Sequence, residues 1–189
     1  MSARTNLGLM LRRAYRIRAL AGSETRKAAL RIMHPGLCID RASFVGPGCT
    51  FDLGPGATVV VVDCQITRHV TIGAGREAEL MLLCDYIGPG ATIVARRRIS
   101  IGSGTKIAEQ AVIRDANHDH SVPLTEGRFV EDPISIGEDV WVAAGACVLA
   151  GVRIGDRATI GARAVVTKDV VEGATAVGVP ARTVRTGDC

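Results

Sequence analysis

The residues best equipped for chemistry lie together near the middle of the chain. His118 and His120, with Asp115, Asn117 and Asp119, fall in the stretch RDANHDHSVPLTEGRFVEDP over residues 114–133. Three readings are open to such a group. Solvated loop histidines need no function. A His-x-His pair beside Asp119 can contribute to a zinc site, because imidazole and carboxylate both ligate zinc. An imidazole, with an unperturbed pKa of about 6.5, can also take a proton from an attacking group at neutral pH. Residue type and spacing alone leave all three standing.

The stretch is conspicuous because it interrupts a rhythm. From Ile136 the chain repeats every six residues, as IGEDVW, VAAGAC, VLAGVR, IGDRAT and IGARAV, with Ile136, Val142, Val148, Ile154, Ile160 and Val166 as repeat starts. A helix spaces its apolar positions by three and four and a strand by two, so a strict six fits neither. It fits a chain that turns a corner after each short strand, the signature of a parallel β-helix. Three hexads then make one coil, and inward aliphatics form ladders through a three-sided prism, with Val148 and Ile154 among them. Earlier hexads appear as Ile39/Val45/Phe51, Ile87/Ile93/Ile99 and Ile101/Ile107/Ile113. Their register slips, so the early coils carry insertions. The apolar-Gly-x-Gly copies at Val45, Leu53, Ile72, Ile87 and Ile101 complete no phosphate-binding loop and read as corners. After Ile113 the rhythm stops until Ile136, and an excursion of that length inside a regular stack points to a functional arm.

Composition agrees with thin layers. Hydrophobic residues make up 47% and aromatics only 3%, with 22 glycines available for corners. The six cysteines lack paired spacing and no secretory segment is read, so they are expected to be reduced thiols in a cytoplasmic protein. No apolar run reaches the length of a membrane span. A net charge of +4 suits an anionic ligand such as a phosphorylated cofactor. The basic residues are dispersed without interleaved aromatics, so no nucleic-acid partner is expected. The division expected is a basic, helical segment over 1–36, a β-helix over 37–172 with its loop at 114–133, and a tail over 173–189. In the first segment Met10, Ala14, Ile17 and Ala21 share a helical face among arginines. That face either caps the open end of the stack or gives residues 1–20 peripheral contact with an anionic membrane.

The run from RDANHDH through PISIGEDVW and VVTKD to AVGVPARTVR resembles the hexapeptide-repeat acyltransferases over about residues 85–185. The similarity is to galactoside and maltose acetyltransferases and to O-acetyltransferases of polysaccharide biosynthesis. It implies an all-β, left-handed parallel β-helix, against the usual crossover preference. It implies a homotrimer with sites between subunits, acetyl-coenzyme A as acyl donor and no metal. The acceptor implied is a saccharide hydroxyl, on a small molecule or a lipid-linked sugar; amino-sugar amines and antibiotics are the alternatives.

Carried onto matching positions, the resemblance makes His118 the general base, with Asp115, Asn117 and Trp141 orienting it or binding acceptor. Ala144 and Ala162 would meet the pantetheine amides through their backbones. Thr167, Lys168, Arg182 and Arg185 would face the phosphates of the coenzyme. The Arg96–Arg97–Arg98 run reads as a solvated side or the lining of an acceptor cleft. A rival on the same architecture, a carbonic anhydrase-like zinc enzyme, would draw on His69, His118 and His120, in a spacing unlike that family's. A non-catalytic scaffold is the remaining alternative.

Overall fold

The computed structural model describes residues 19–184. Each coil is three short parallel strands, one per face. The first coil is β1 (Leu37–Ile39), β2 (Phe44–Val45) and β3 (Thr50–Leu53). The second is β4 (Thr58–Val61), β5 (Gln65–Ile66) and β6 (Thr71–Ala74), and the third β7 (Glu79–Leu82), β8 (Tyr86–Ile87) and β9 (Thr92–Ala95). The fourth is β10 (Arg98–Ile101), β11 (Lys106–Ile107) and β12 (Val112–Arg114). A hairpin, β13 (Ala116–His118) and β14 (Phe129–Glu131), leaves the stack here. The fifth coil is β15 (Ile134–Ile136), β16 (Trp141–Val142) and β17 (Cys147–Val148), and the sixth β18 (Arg153–Ile154), β19 (Thr159–Ile160) and β20 (Val165–Val166). Then β21 (Thr175–Val177) continues the second face and β22 (Arg182–Val184) folds back antiparallel on it, so the sheet extends beyond residue 172. The architecture is a left-handed parallel β-helix.

Each two-residue strand sends one side chain in and one out, which is why one aliphatic per six residues suffices. The second face stacks Val45, Ile66, Ile87, Ile107, Val142 and Ile160, all with no accessible surface. The third face stacks Phe51, Ile72, Ile93, Ile113, Val148 and Val166. The glycine corners have two distinct causes. A Cβ on Gly102 would lie 2.6 Å from the carbonyl oxygen of Gly137 in the next coil. Gly104 instead has φ +71, a left-handed conformation also adopted by its counterpart Asp139 at φ 53. Among the described cysteines none is in a disulfide; Cys64 and Cys84 stack in one corner with their sulfurs 3.6 Å apart.

Residues 19–33 are helical and cover the first coil. Met10, Ala14 and Ile17 lie outside the described residues. The cap is made largely by polar side chains, where an apolar face was expected, because the first coil exposes backbone groups with no preceding coil to pair them. Lys27 is fully buried and its Nζ donates to the carbonyls of Asp40 (3.4 Å), Arg41 (3.1 Å) and Ser43 (2.8 Å). Arg26 donates to the Val45 carbonyl at 2.8 Å, and the Ser23 hydroxyl accepts the Val45 N–H at 2.9 Å. Lys27→Met keeps the stem and removes the donors, so a loss of about 1–3 kcal/mol is expected. A melting temperature equal to wild type would show that the cap does not stabilise the first coil. No described helix is long and apolar enough to cross a membrane.

Candidate active site

Cys147 stacks on Val112, 35 positions earlier, yet meets Val165 only 18 positions later. The difference is the arm, which leaves the edge between the third and first faces. Its base is fixed by Asp115, whose side chain is completely buried. One carboxylate oxygen accepts the Arg96 N–H at 2.6 Å; the other accepts those of Arg97 (2.9 Å) and Arg98 (2.7 Å). The Asp115 carbonyl also accepts the Asp132 N–H at 2.8 Å, so both ends of the arm are tied together. The buried carboxylate is taken up by the three donors of Arg96, Arg97 and Arg98 and fixes where β13 leaves the stack.

β13 and β14 pair antiparallel, with Asn117 opposite Val130 and His118 opposite Phe129. His118 is exposed, and its ring centre lies 4.4 Å from that of Phe129. The Arg96 guanidinium carbon lies 3.7 Å from the Phe129 ring centre, and Arg96 Nε donates to Glu131 at 3.3 Å. The imidazole is thus held by stacking on a ring that a cation fixes in turn. Asn117, adjacent in the strand, points to the opposite face of the hairpin, so it does not touch the His118 ring directly. At the tip the Ser121 hydroxyl and N–H bond the Asp119 carboxylate and hold its carboxyl below its ordinary value. His120 is exposed beyond the paired region. The sequence reading did not single out Phe129 or Glu131; the one available signal was that Phe129 is the arm's only aromatic residue.

The remaining candidates occupy other parts of the prism. Ala144 and Ala162 sit one above the other on the edge between the second and third faces, where Arg163 N–H donates to the Ala144 carbonyl at 2.9 Å. Among the described residues the N–H groups of both alanines lack a backbone partner, which leaves a short row of donors along that edge. Lys168 and Arg182 come together as walls of one cavity of about 210 Å³ at the C-terminal end. Thr167 is exposed next to Lys168. Arg185 lies outside the described residues. Trp141 is on the second face, 43% exposed, between Lys106 and Thr159. Within one chain it shares neither the edge nor the face of the arm. His69 occupies a corner of the second coil at φ 57, far in sequence from the arm. Among the described residues no cluster of three His, Cys, Asp or Glu side chains is placed to hold a metal ion.

Residues 133–168 match the family model described as bacterial transferase hexapeptide (six repeats). Nodulation protein L of Rhizobium meliloti is 35% identical over 133 residues, covering 69% of this chain and 68% of that protein. Galactoside O-acetyltransferase of Escherichia coli is 35% identical over 101 residues, 53% of this chain; the chain spans only 50% of that relative's length. Among solved structures, a galactoside acetyltransferase in complex with coenzyme A superposes with a TM-score of 0.51 at 26% identity, covering 86% of this chain and 70% of that one. With a stack of hexapeptide coils and a relative matched over two thirds of its length, the chain belongs to the hexapeptide-repeat acyltransferases.

Proposed function

We propose that the protein transfers an acetyl group from acetyl-coenzyme A to a saccharide hydroxyl, with His118 as general base. The observation that carries this reading is the arm itself. A regular stack is interrupted once, and the insertion is a paired hairpin that holds an exposed imidazole in a fixed place. In the step proposed, His118 takes the hydroxyl proton as the acceptor oxygen attacks the thioester carbonyl. The carbon–sulfur bond breaks, and the imidazolium returns the proton to the departing thiolate. An alcohol is a weak nucleophile at neutral pH, so a positioned base is the device the reaction calls for. Burial raises the Cys147 thiol above its ordinary value, which argues against an acyl-cysteine intermediate at that residue.

The row of free N–H groups at Ala144 and Ala162 suits an extended amide-bearing chain, and the Lys168–Arg182 cavity suits a phosphate. His118 and the alanine row stand on different edges of the prism. A seam between two protomers in a ring of three copies would bring one edge of each together, which supports a homotrimer with composite sites.

Acceptor-dependent release of coenzyme A thiol, measured over a panel of sugars bearing free hydroxyls or amines, tests the reading; no release with any acceptor would end it. Arg182→Ala should raise KM for acetyl-coenzyme A about tenfold, roughly 1.4 kcal/mol, and affect the 3′-dephospho analogue less. Equal effects on both donors would remove Arg182 from the phosphate site.

A further inference from the structure

The early coils are longer than the later ones, and the extra residues build something. Leu37 stacks on Val59, Val59 on Leu80 and Leu80 on Ile99, giving coils of 22, 21 and 19 residues against 18 from Ser135 to Arg153. The excess lengthens strands on the first face (β4, β7, β10) and on the third (β3, β6, β9) to four residues each. On the third face the outward row runs Asp52, Gly73, Val94. Gly73 contributes no side chain there, and a Cβ on it would come within 3.2 Å of the Val94 methyls. The result is a notch of about 200 Å³ lined by Asp52, Gly73, Val94 and Arg96, with Gly54 and Gly75 stacked at the adjoining corner.

Arg96 joins this notch to the arm. Its guanidinium lies 3.7 Å from the centre of the Phe129 ring, whose centre is 4.4 Å from that of His118, so guanidinium and imidazole are at most 8.1 Å apart. A single saccharide unit can bridge two groups no farther apart than that. The surrounding charge is mixed: among the described residues the exposed Asp52 carboxylate on the notch wall has no basic partner, and the arginines gather at the end nearer the arm. Arg96 pairs with Glu131 and Arg98 with Glu79, while Arg97 and Arg114, both exposed, have no acidic partner among the described residues. The Asp115 carboxylate nearby is buried and taken up by three backbone donors. Only the Nε of Arg96 is engaged, at 3.3 Å, which leaves its two terminal nitrogens for an incoming group.

We propose that the acceptor is an acidic saccharide, its carboxylate or phosphate held by Arg96 at the mouth of the Gly73 notch while its reacting hydroxyl lies at His118. This rests on the acetyl-transfer reading above and names its substrate class. Asp52 on the far wall is placed to accept hydrogen bonds from the sugar's other hydroxyls. Arg97 adds long-range attraction without a fixed pose.

The test uses the full chain, acetyl-coenzyme A and matched acceptors: a hexose, its hexuronate and its phosphate ester. Wild type should favour at least one acidic acceptor over the neutral parent by tenfold or more in kcat/KM, and the two acidic arms identify whether carboxylate or phosphate is read. Arg96→Gln should lower the acidic-to-neutral ratio about tenfold to a hundredfold, through KM. Arg97→Gln, which leaves the Phe129 stack intact, should lower it less and weaken its dependence on ionic strength. A wild-type preference for the neutral sugar would overturn the proposal. So would an Arg96→Gln loss shared equally by all acceptors, since that is the behaviour of a residue that only positions Phe129 and His118. Calorimetric binding of each sugar separates the two layers of inference. Acidic sugars that bind through Arg96 without thiol release would sustain the subsite and sink acetyl transfer; no binding and no turnover would sink both.

Discussion

Replacing His118 by alanine will lower kcat by about 10²–10⁴-fold, the usual worth of a positioned general base and roughly 3–5 kcal/mol of barrier. KM for acetyl-coenzyme A should stay near wild type, because the donor-side candidates lie at Ala144, Ala162, Lys168 and Arg182, away from the arm. Stability should hardly move. The side chain is exposed, and its recorded contact is the Phe129 ring at 4.4 Å, so a melting shift of no more than about 2 °C is expected. The metal-ligand reading predicts a different set of results: bound zinc in the wild type, lost in the variant, and activity sensitive to chelators. Activity within tenfold of wild type in a folded His118→Ala protein would remove the imidazole from the reaction.

The late coils were legible in the sequence because they are strict. Between Ile136 and Val166 every sixth residue is an aliphatic that ends up inside, and no insertion disturbs the count. The early coils were only half legible, because their additional residues extend strands on the first and third faces while leaving the inward ladder intact. A local pattern then drifts although the stack does not. The arm announced itself as an interruption and by its histidines. Its internal order did not show, because the pairing of His118 with Phe129 crosses a loop of no clear period. The anchoring of Asp115 was invisible for a related reason: its three donors are backbone groups at residues 96–98, brought near by one full coil. The same distance hid the meaning of the arginine run. Arg96, Arg97 and Arg98 read as a solvated side when taken locally, and only the coil stacking puts them at the foot of the strand that bears His118. The cap was concealed by composition, since Lys27 in a basic helix gives no sign that it will be buried against three carbonyls.

Asp115→Ala should be the most damaging single change at the arm, and its effect should appear in stability and turnover together. The substitution leaves the N–H groups of Arg96, Arg97 and Arg98 facing a small cavity where a carboxylate had been. An orphaned buried donor costs about 1–3 kcal/mol. Water entering the vacated space recovers part of that, so a total of roughly 3–5 kcal/mol is expected rather than the full sum. At about 2–4 °C per kcal/mol for a chain of this size, the melting temperature should fall by on the order of 10 °C. Turnover should fall as well, because β13 loses the anchor that fixes where His118 stands. A displacement of a catalytic group by about 1 Å can cost around a hundredfold in rate. Asp115→Asn provides the discriminating control. Its amide oxygen can serve two of the donors while its NH2 must face the third, so it should fall between wild type and alanine in both measurements. If Asp115→Ala melts like wild type, the carboxylate is not holding the corner. If it melts low yet turns over normally, the arm finds its geometry from the Phe129 stack and the β13–β14 pairing alone, and the backbone route from Asp115 to the imidazole is wrong.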